Sequence, residues 1–427
     1  MESRRRFLKI SAGAAMASRT VLGANDRVQV GMIGFGRRAG QLRNSFSRHA
    51  DCVFAAACEV DQTRLKQAVA AMGGKVDTYT DYRRLLERKD IDAVIVATPD
   101  HWHSPMLIAA CEAGKDVYIE KPVSNAVEPA WKMVEAAKKY NRVVQVGCQQ
   151  RSWPHFQECA KKVQDGYIGR INHCILLFEG GGGGGGVRRP PTAEKVPEGF
   201  DWEAFQGPAE RRPYSSDRQR SWRSYFDYGG GTVTDWGVHF TDCMNWYMNA
   251  GRKGPLLASA SAQYISMQPP NLEVAPDTYS VTWKYDNFVG TFTNTAIPSQ
   301  DPQYVRTDAH GNYFHGQNAV LLVNRYGYVV MPRRGGGQPA GNAASPAQAL
   351  TAERVMDPEG MVETPDSKFG QATILHARNF LDCVKSRQQP ACDMETGFYS
   401  SLPCLMAVMS IRQGRSIAWD GKTAKAV

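Results

Sequence analysis

The chain has 427 residues, 42% of them hydrophobic, and a formal net charge of +9. At roughly 100–200 residues per domain this length favours two domains, and no stretch approaches the roughly 18 apolar residues that span a bilayer. The positive charge lies in scattered clusters, Arg4-Arg5-Arg6, Arg188-Arg189 and Arg211-Arg212 among them, and not in the single patch of a nucleic-acid binder, so no nucleic-acid partner is expected.

The opening residues read as an address. Ser3-Arg4-Arg5-Arg6-Phe7-Leu8-Lys9 resembles the twin-arginine export signal, followed by a weakly apolar run from Ile10 to Ala24 that Arg19 interrupts. Residues 1–24 are set aside as a leader. The expected destination is the periplasm, with the cytoplasm as the alternative if the leader is vestigial. None of the ten cysteines forms a C-x-x-C pair, and most sit in apolar surroundings (Cys52, Cys58, Cys111, Cys404). They read as small core residues, not as a disulfide framework or zinc site.

Arg27 to Ile33 is a short β-branched run expected to form a buried strand. It enters Gly34-Phe35-Gly36-Arg37-Arg38-Ala39, a match to G-x-G-x-x-[GA]. Gly34 permits the tight turn, Gly36 lets the backbone approach a pyrophosphate, and Ala39 keeps the following helix close to the sheet. The phosphates then rest on the helix N-terminus. A second strand, Val53 to Glu59, ends in a carboxylate 25 residues after Gly34. A carboxylate there accepts hydrogen bonds from the adenosine ribose and repels a 2′-phosphate, favouring NAD over NADP. Asp61 is the rival for this role.

Ile91 to Thr98 is a third strand, which places Thr98-Pro99-Asp100-His101-Trp102-His103 beyond a strand end, where ligands of open parallel sheets bind. His101 and His103 lack a cysteine or carboxylate at ligand spacing, so no metal is expected; one histidine is expected to cap the next helix and the other to pack against it. A helix over Pro105–Gly114, a strand Asp116–Ile119 leading into Glu120-Lys121-Pro122, a helix over Ala126–Tyr140 and a strand Val143–Val146 complete the alternation. That alternation argues for a parallel, doubly wound sheet.

The ordered set Gly34-x-Gly36, Cys58-Glu59-Val60-Asp61, Ala97-Thr98-Pro99 and Glu120-Lys121-Pro122 resembles the Gfo/Idh/MocA (glucose–fructose oxidoreductase/inositol dehydrogenase) family. So do Gly229 to His239, which look like that family's glycine turn and D-x-x-x-H helix, and His376 to Cys383 near the end. The resemblance implies a Rossmann domain over 25–147 and, over 148–427, a substrate and oligomerisation domain. The latter is α/β with a large, open, mainly antiparallel sheet. It also implies an active site between the domains and a homo-oligomer, commonly a dimer or tetramer. It assigns Lys121, Asp235 and His239 as the catalytic lysine, aspartate and histidine. Expected cofactor contacts are Gly34, Phe35, Gly36, Arg37, Glu59, Thr98, Pro99, His103, Glu120 and Lys121.

Oxidising an alcohol requires a hydride acceptor, here nicotinamide, and a base for the hydroxyl proton. His239 is the expected base. Asp235, four residues earlier, is expected on the same helix face. Lys121 is placed to stabilise charge on the reacting oxygen, and Asp242 to substitute for or support the pair. Arg151 and Trp153, after a strand end, and Trp222, Arg223 and Tyr225, before the glycine turn, are candidates for sugar contacts; core packing is the competing reading.

Two hairpins are expected, Val281–Tyr285 with Phe288–Phe292 and Ala319–Val323 with Tyr328–Met331. Gly180–Gly186 and Gly335–Ala349 are low-complexity loops, the former a passive loop or a hinge at the cleft. The expected function is NAD-dependent hydride transfer at a secondary hydroxyl of a sugar, glycoside or polyol. The alternatives are a redox-neutral NAD-dependent glycosidase and a non-catalytic sugar-binding protein.

Overall fold

The computed structural model describes residues 27–178, 192–265, 272–295, 310–333, 350–357 and 367–427. The leader and both low-complexity loops lie outside these residues.

Six strands form the first sheet: β1 (Val28–Ile33), β2 (Cys52–Cys58), β3 (Asp77–Tyr79), β4 (Ala93–Val96), β5 (Asp116–Ile119) and β6 (Val144–Val146). Their order is β3-β2-β1-β4-β5-β6, and every pairing is parallel. The connections are α1 (Arg37–Phe46), α2 (Gln62–Ala71), α3 (Tyr82–Leu86), α4 (His103–Glu112) and α5 (Val127–Lys139). β4 and β5 are buried along their whole length. That is what helices on both faces require, and it is why these strands read as continuous apolar runs. The order reverses between β1 and β4, and a ligand crevice forms outside the carboxyl ends of strands at such a switch point.

Among the described residues, the chain continues with α6 (Pro154–Gln164), β7 (Ile171–Phe178), α7 (Trp202–Gln206), α8 (Ser216–Arg220), α9 (Thr232–Asp235), α10 (Gly237–Tyr247), β8 (Leu257–Gln263), β9 (Thr278–Lys284), β10 (Val289–Asn294), β11 (His310–Gly316), β12 (Ala319–Asn324), β13 (Gly327–Pro332), β14 (Glu353–Met356), α11 (Lys368–Ser386), α12 (Met394–Gln413), β15 (Ile417–Trp419) and β16 (Ala424–Ala426). Among the described residues a ten-stranded sheet runs β14-β13-β12-β11-β7-β10-β9-β8-β15-β16. It is antiparallel except where β10 lies parallel to β7. Both expected hairpins are present, as β9–β10 and β12–β13. α10 packs against β7 and β11, and α12 against β8. Strand β9 alternates buried Tyr279, Val281 and Trp283 with exposed Ser280, Thr282 and Lys284, the pattern of a sheet with one covered face.

Late in the sequence, α11 returns to the first sheet. Ala377, Phe380 and Leu381 join Val28, Phe46 and Tyr118 in one apolar cluster. Among the described residues no helix is long and apolar enough to cross a membrane.

Candidate active site

The switch point opens into a cleft of about 1290 Å³, walled by the ends of β1, β2, β4 and β5 on one side and by α7, α9 and α10 on the other. Gly34 has φ +86°, and a Cβ there would stand 2.8 Å from Thr98 Cγ2 and 2.9 Å from the Ala97 carbonyl oxygen, so only glycine fits the turn. Gly36 is the N-cap of α1, with no side chain capping the helix, and a Cβ built on it meets no atom within 4 Å. The space above Gly36 and the uncapped helix start form the cradle that a pyrophosphate needs.

Glu59 braces this loop. Its Oε2 accepts the Phe35 N–H at 2.7 Å, and Oε1 accepts those of Val60 (2.7 Å) and Asp61 (3.1 Å). Burial pushes its carboxyl upward, against the opposing pull of these hydrogen bonds. Asp61 also lines the cleft, but its Oδ1 caps α2 through Thr63 and Arg64 N–H. Arg38 Nε donates to Glu120 Oε1 at 2.8 Å, tying the glycine loop to the turn that carries Lys121. Arg37, Thr98 and Pro99 line the same space.

His103 does not offer the cofactor a free nitrogen. Nδ1 lies 2.7 Å from the Pro122 carbonyl oxygen and Nε2 3.0 Å from that of Thr98. The ring therefore links the end of β4 to the Lys121 turn. His101 Nε2 is bound likewise by Phe205 O at 2.9 Å.

Lys121, Asp235 and His239 converge on the cleft. Lys121 Nζ donates to Asp235 Oδ1 at 2.8 Å and to its backbone oxygen at 2.6 Å, and Arg223 Nε lies 3.5 Å from the same Oδ1. Burial disfavours charge on Asp235, but Lys121 and Arg223 prevail and hold its carboxyl down at about 2. His239 is buried, and its Nδ1 has no hydrogen-bond partner among the described residues. Burial first, then the charges of Lys121, Arg325 and Arg38, push its pKa well down and keep the ring neutral. The expected single helix is broken: Asp235 ends α9 and His239 lies in the first turn of α10. At the junction the His239 N–H bonds Trp236 O, only three residues back, a tightened turn that still leaves both side chains on the cleft.

Three candidates leave the site. Arg151 Nη2 pairs with Asp242 at 2.8 Å, and its guanidinium stands 5.1 Å from the Trp246 ring centre. Asp242 is fully buried and also accepts the Ser400 hydroxyl at 2.6 Å. Trp153 is buried against His155 and Phe156. None of the three lines the cleft. Pairing and packing account for them, because a carboxylate in the interior needs its cation. Tyr225 is wholly buried, its hydroxyl on Asp217. Trp222 and Arg223 do line the cleft, the guanidinium 4.4 Å from the indole centre.

The sequence reading missed Arg325, whose guanidinium lies 4.6 Å from the Trp236 ring centre in the cleft wall, and the buried Gln149, whose Oε1 finds no partner among the described residues. It gave no role to Asp100, a buried wall residue whose carboxyl is pushed well up by burial. Nothing in a hairpin turn such as Asn324-Arg325-Tyr326 marks it as facing a distant helix. Cys148, Asp242 and Cys392 group within 4.8 Å in the interior, but Arg151 and Ser400 already engage Asp242.

The cradle at Gly36, the carboxylate of Glu59 and the unpartnered atoms of Gln149 and His239 suit a dinucleotide laid from β2 across to Lys121. Residues 28–148 match the family described as an oxidoreductase family with an NAD-binding Rossmann fold, and residues 187–312 match its C-terminal alpha/beta domain. A glycosyl hydrolase family 109 protein of Shewanella putrefaciens is 37% identical over 122 residues, a match covering 27% of each chain. Among solved structures, the WlbA dehydrogenase of Chromobacterium violaceum, with NADH and UDP-GlcNAcA, aligns at 19% identity over 93% of this chain and 97% of its own, with a TM-score of 0.64. Levoglucosan dehydrogenase, with NADH and levoglucosan, aligns at 20% identity over 92% and 99%, with a TM-score of 0.66. These two show the shared fold. With both of its domains matched in order, the chain belongs to the Gfo/Idh/MocA family of NAD-binding oxidoreductases.

Proposed function

We propose that the protein transfers a hydride between NAD and a secondary hydroxyl of a sugar, glycoside or polyol. The observation that carries this reading is the Lys121–Asp235 pair beside the neutral His239, in the same cleft as the Gly34–Gly36 turn. Bound NAD supplies the hydride acceptor at C4 of its nicotinamide. His239 takes the hydroxyl proton at a ring nitrogen as the carbon yields its hydride, so the alcohol becomes a carbonyl. Lys121 donates a hydrogen bond to the reacting oxygen as charge develops on it. Asp235 holds the ammonium in place and accepts from a neighbouring hydroxyl. Trp222 offers a flat apolar face to the ring, and Arg223 donors to its hydroxyls.

The partial likeness to glycosyl hydrolase family 109 proteins favours a second reading, a redox-neutral glycosidase in which the same hydride is returned after the leaving group departs. The leader motif supports export by the twin-arginine route, and the open sheet supports a homo-oligomer. A panel of polyols, sugars and aryl glycosides, scored both for NADH and for aglycone, tests the proposal. NADH formation that disappears in His239→Asn supports the dehydrogenase, and aglycone release without net NADH supports the glycosidase. If neither signal appears with any member and the three catalytic candidates can be replaced without effect on either, the reading falls.

A further inference from the structure

The cofactor cleft has a second wall that the Rossmann motifs do not account for. Residues 199–211, from the second part of the chain, cross it from one side to the other. At the β2 side the Gln62 N–H donates to Gly199 O at 2.9 Å and the Asp201 N–H donates to Val60 O at 3.1 Å, and a bridge pairs Asp61 with Phe200. At the β4 side Trp102 Nε1–H donates to the carbonyl oxygens of Ala204 (3.0 Å) and Phe205 (2.9 Å). Gly207 has φ +52°, and a Cβ there would stand 2.2 Å from Trp102 Cζ2, so the backbone lies directly on the indole.

The crossing segment is held by its own cap and packing. Asp201 caps α7 through the Ala204 N–H at 2.8 Å, and Phe200, Trp202 and Phe205 pack with Tyr214, Tyr225 and Tyr228 in an apolar cluster separate from the main core. Phe200, Phe205, Gly207 and Arg211 face the cleft.

From these anchors we propose that residues 199–211 are part of the cofactor site, a strap that encloses the adenosine half of NAD and makes it a resident group that does not exchange between turnovers. The inference rests on the hydride-transfer reading above and deepens it. A dinucleotide running from Glu59 toward Lys121 passes beneath a segment fixed at both rims, so release requires breaking these four backbone-carbonyl hydrogen bonds, and the His101 contact to Phe205 O, together. With NAD resident, the hydride taken from one alcohol must be given to a carbonyl carbon in the same cleft, and the proton to that carbonyl's oxygen. That carbonyl belongs either to the reaction's own oxidised intermediate or to a second carbohydrate.

The test uses the full chain as purified. Protein passed through gel filtration is denatured and its released NAD counted, and exchange against radiolabelled NAD is timed in intact protein. Two variants probe the rim: Trp102→Phe removes the indole donor while keeping a ring on Gly207, and Gly207→Ala pushes the strap off that ring. The expected results are about one NAD per chain in the wild type, exchange slower than turnover, and at least ~10-fold faster exchange in both variants with unchanged circular dichroism. Wild-type protein that emerges empty, or that exchanges label as fast as it turns over, overturns the strap. So does wild-type retention in two folded variants. An enzyme that exchanges NAD freely yet reduces it with an alcohol refutes the strap alone, whereas one that neither binds NAD nor transfers hydride refutes the proposed function too.

Discussion

Two glycines two residues apart are expected to fail differently when replaced by alanine. At Gly36 the backbone is extended (φ −76°, ψ −174°) and the added methyl meets nothing within 4 Å. The folded protein should hardly notice: a poorer helix cap costs a few tenths to about 1 kcal/mol, and reduced freedom of the unfolded chain returns about 0.4–1 kcal/mol. The methyl instead fills the space assigned to the pyrophosphate. Losing one or two charge-assisted amide hydrogen bonds, each about 1.5–3 kcal/mol, weakens NAD binding roughly 10–100-fold or more. At Gly34, with φ +86° and contacts of 2.8 and 2.9 Å waiting, left-handed backbone strain of about 1–2 kcal/mol adds to overpacking of about 1–3 kcal/mol. Gly34→Ala should therefore destabilise the NAD-free protein itself. Urea denaturation of NAD-free protein reads the first quantity and isothermal titration with NAD the second. The reasoning is refuted if Gly36→Ala binds NAD like the wild type, or if it lowers the urea midpoint as much as Gly34→Ala does.

Lys121→Met and His239→Asn should each lower kcat about 10²–10⁴-fold, the usual worth of a positioned acid or base, while NAD content stays at the wild-type level; stopped-flow hydride transfer checks this, and near-normal rates would remove the residue from the chemistry. The pH profile follows from His239. Burial and the nearby cations push its pKa below the ordinary 6.5, so the neutral base persists as pH falls through that value. The acid limb of kcat/KM should then lie below pH 6.5, and a limb at or above it would contradict the assignment. Arg151→Met leaves the buried Asp242 carboxylate without its cation, at a cost of about 3–5 kcal/mol. Thermal stability should drop while KM for the carbohydrate stays unchanged; a rise in KM at constant stability would return Arg151 to the substrate site.

The first sheet was legible because its signals are local. An apolar β-branched run, a glycine pair and a carboxylate at a strand end each depend on a few adjacent residues, and β1, β2, β4, β5 and β6 fall within two residues of where the pattern put them. Residues 62–86 were not read, since α2 buries only Leu65 and Ala68 and β3 has three residues without a buried position. Lys121, Asp235 and His239 were legible as motifs, but their convergence was not. The bond between Lys121 and Asp235 joins positions 114 apart in the chain. Arg151 shows the opposite failure: beside a strand end it looked like a substrate contact, and only Asp242, 91 positions away, explains it. The same holds for Arg325 and for the strap over residues 199–211. Sequence proximity records what a short segment prefers by itself. Which charge is neutralised, which ring is covered and which wall closes a cleft depend on atoms that meet only after the chain has paid the entropy of bringing distant segments together.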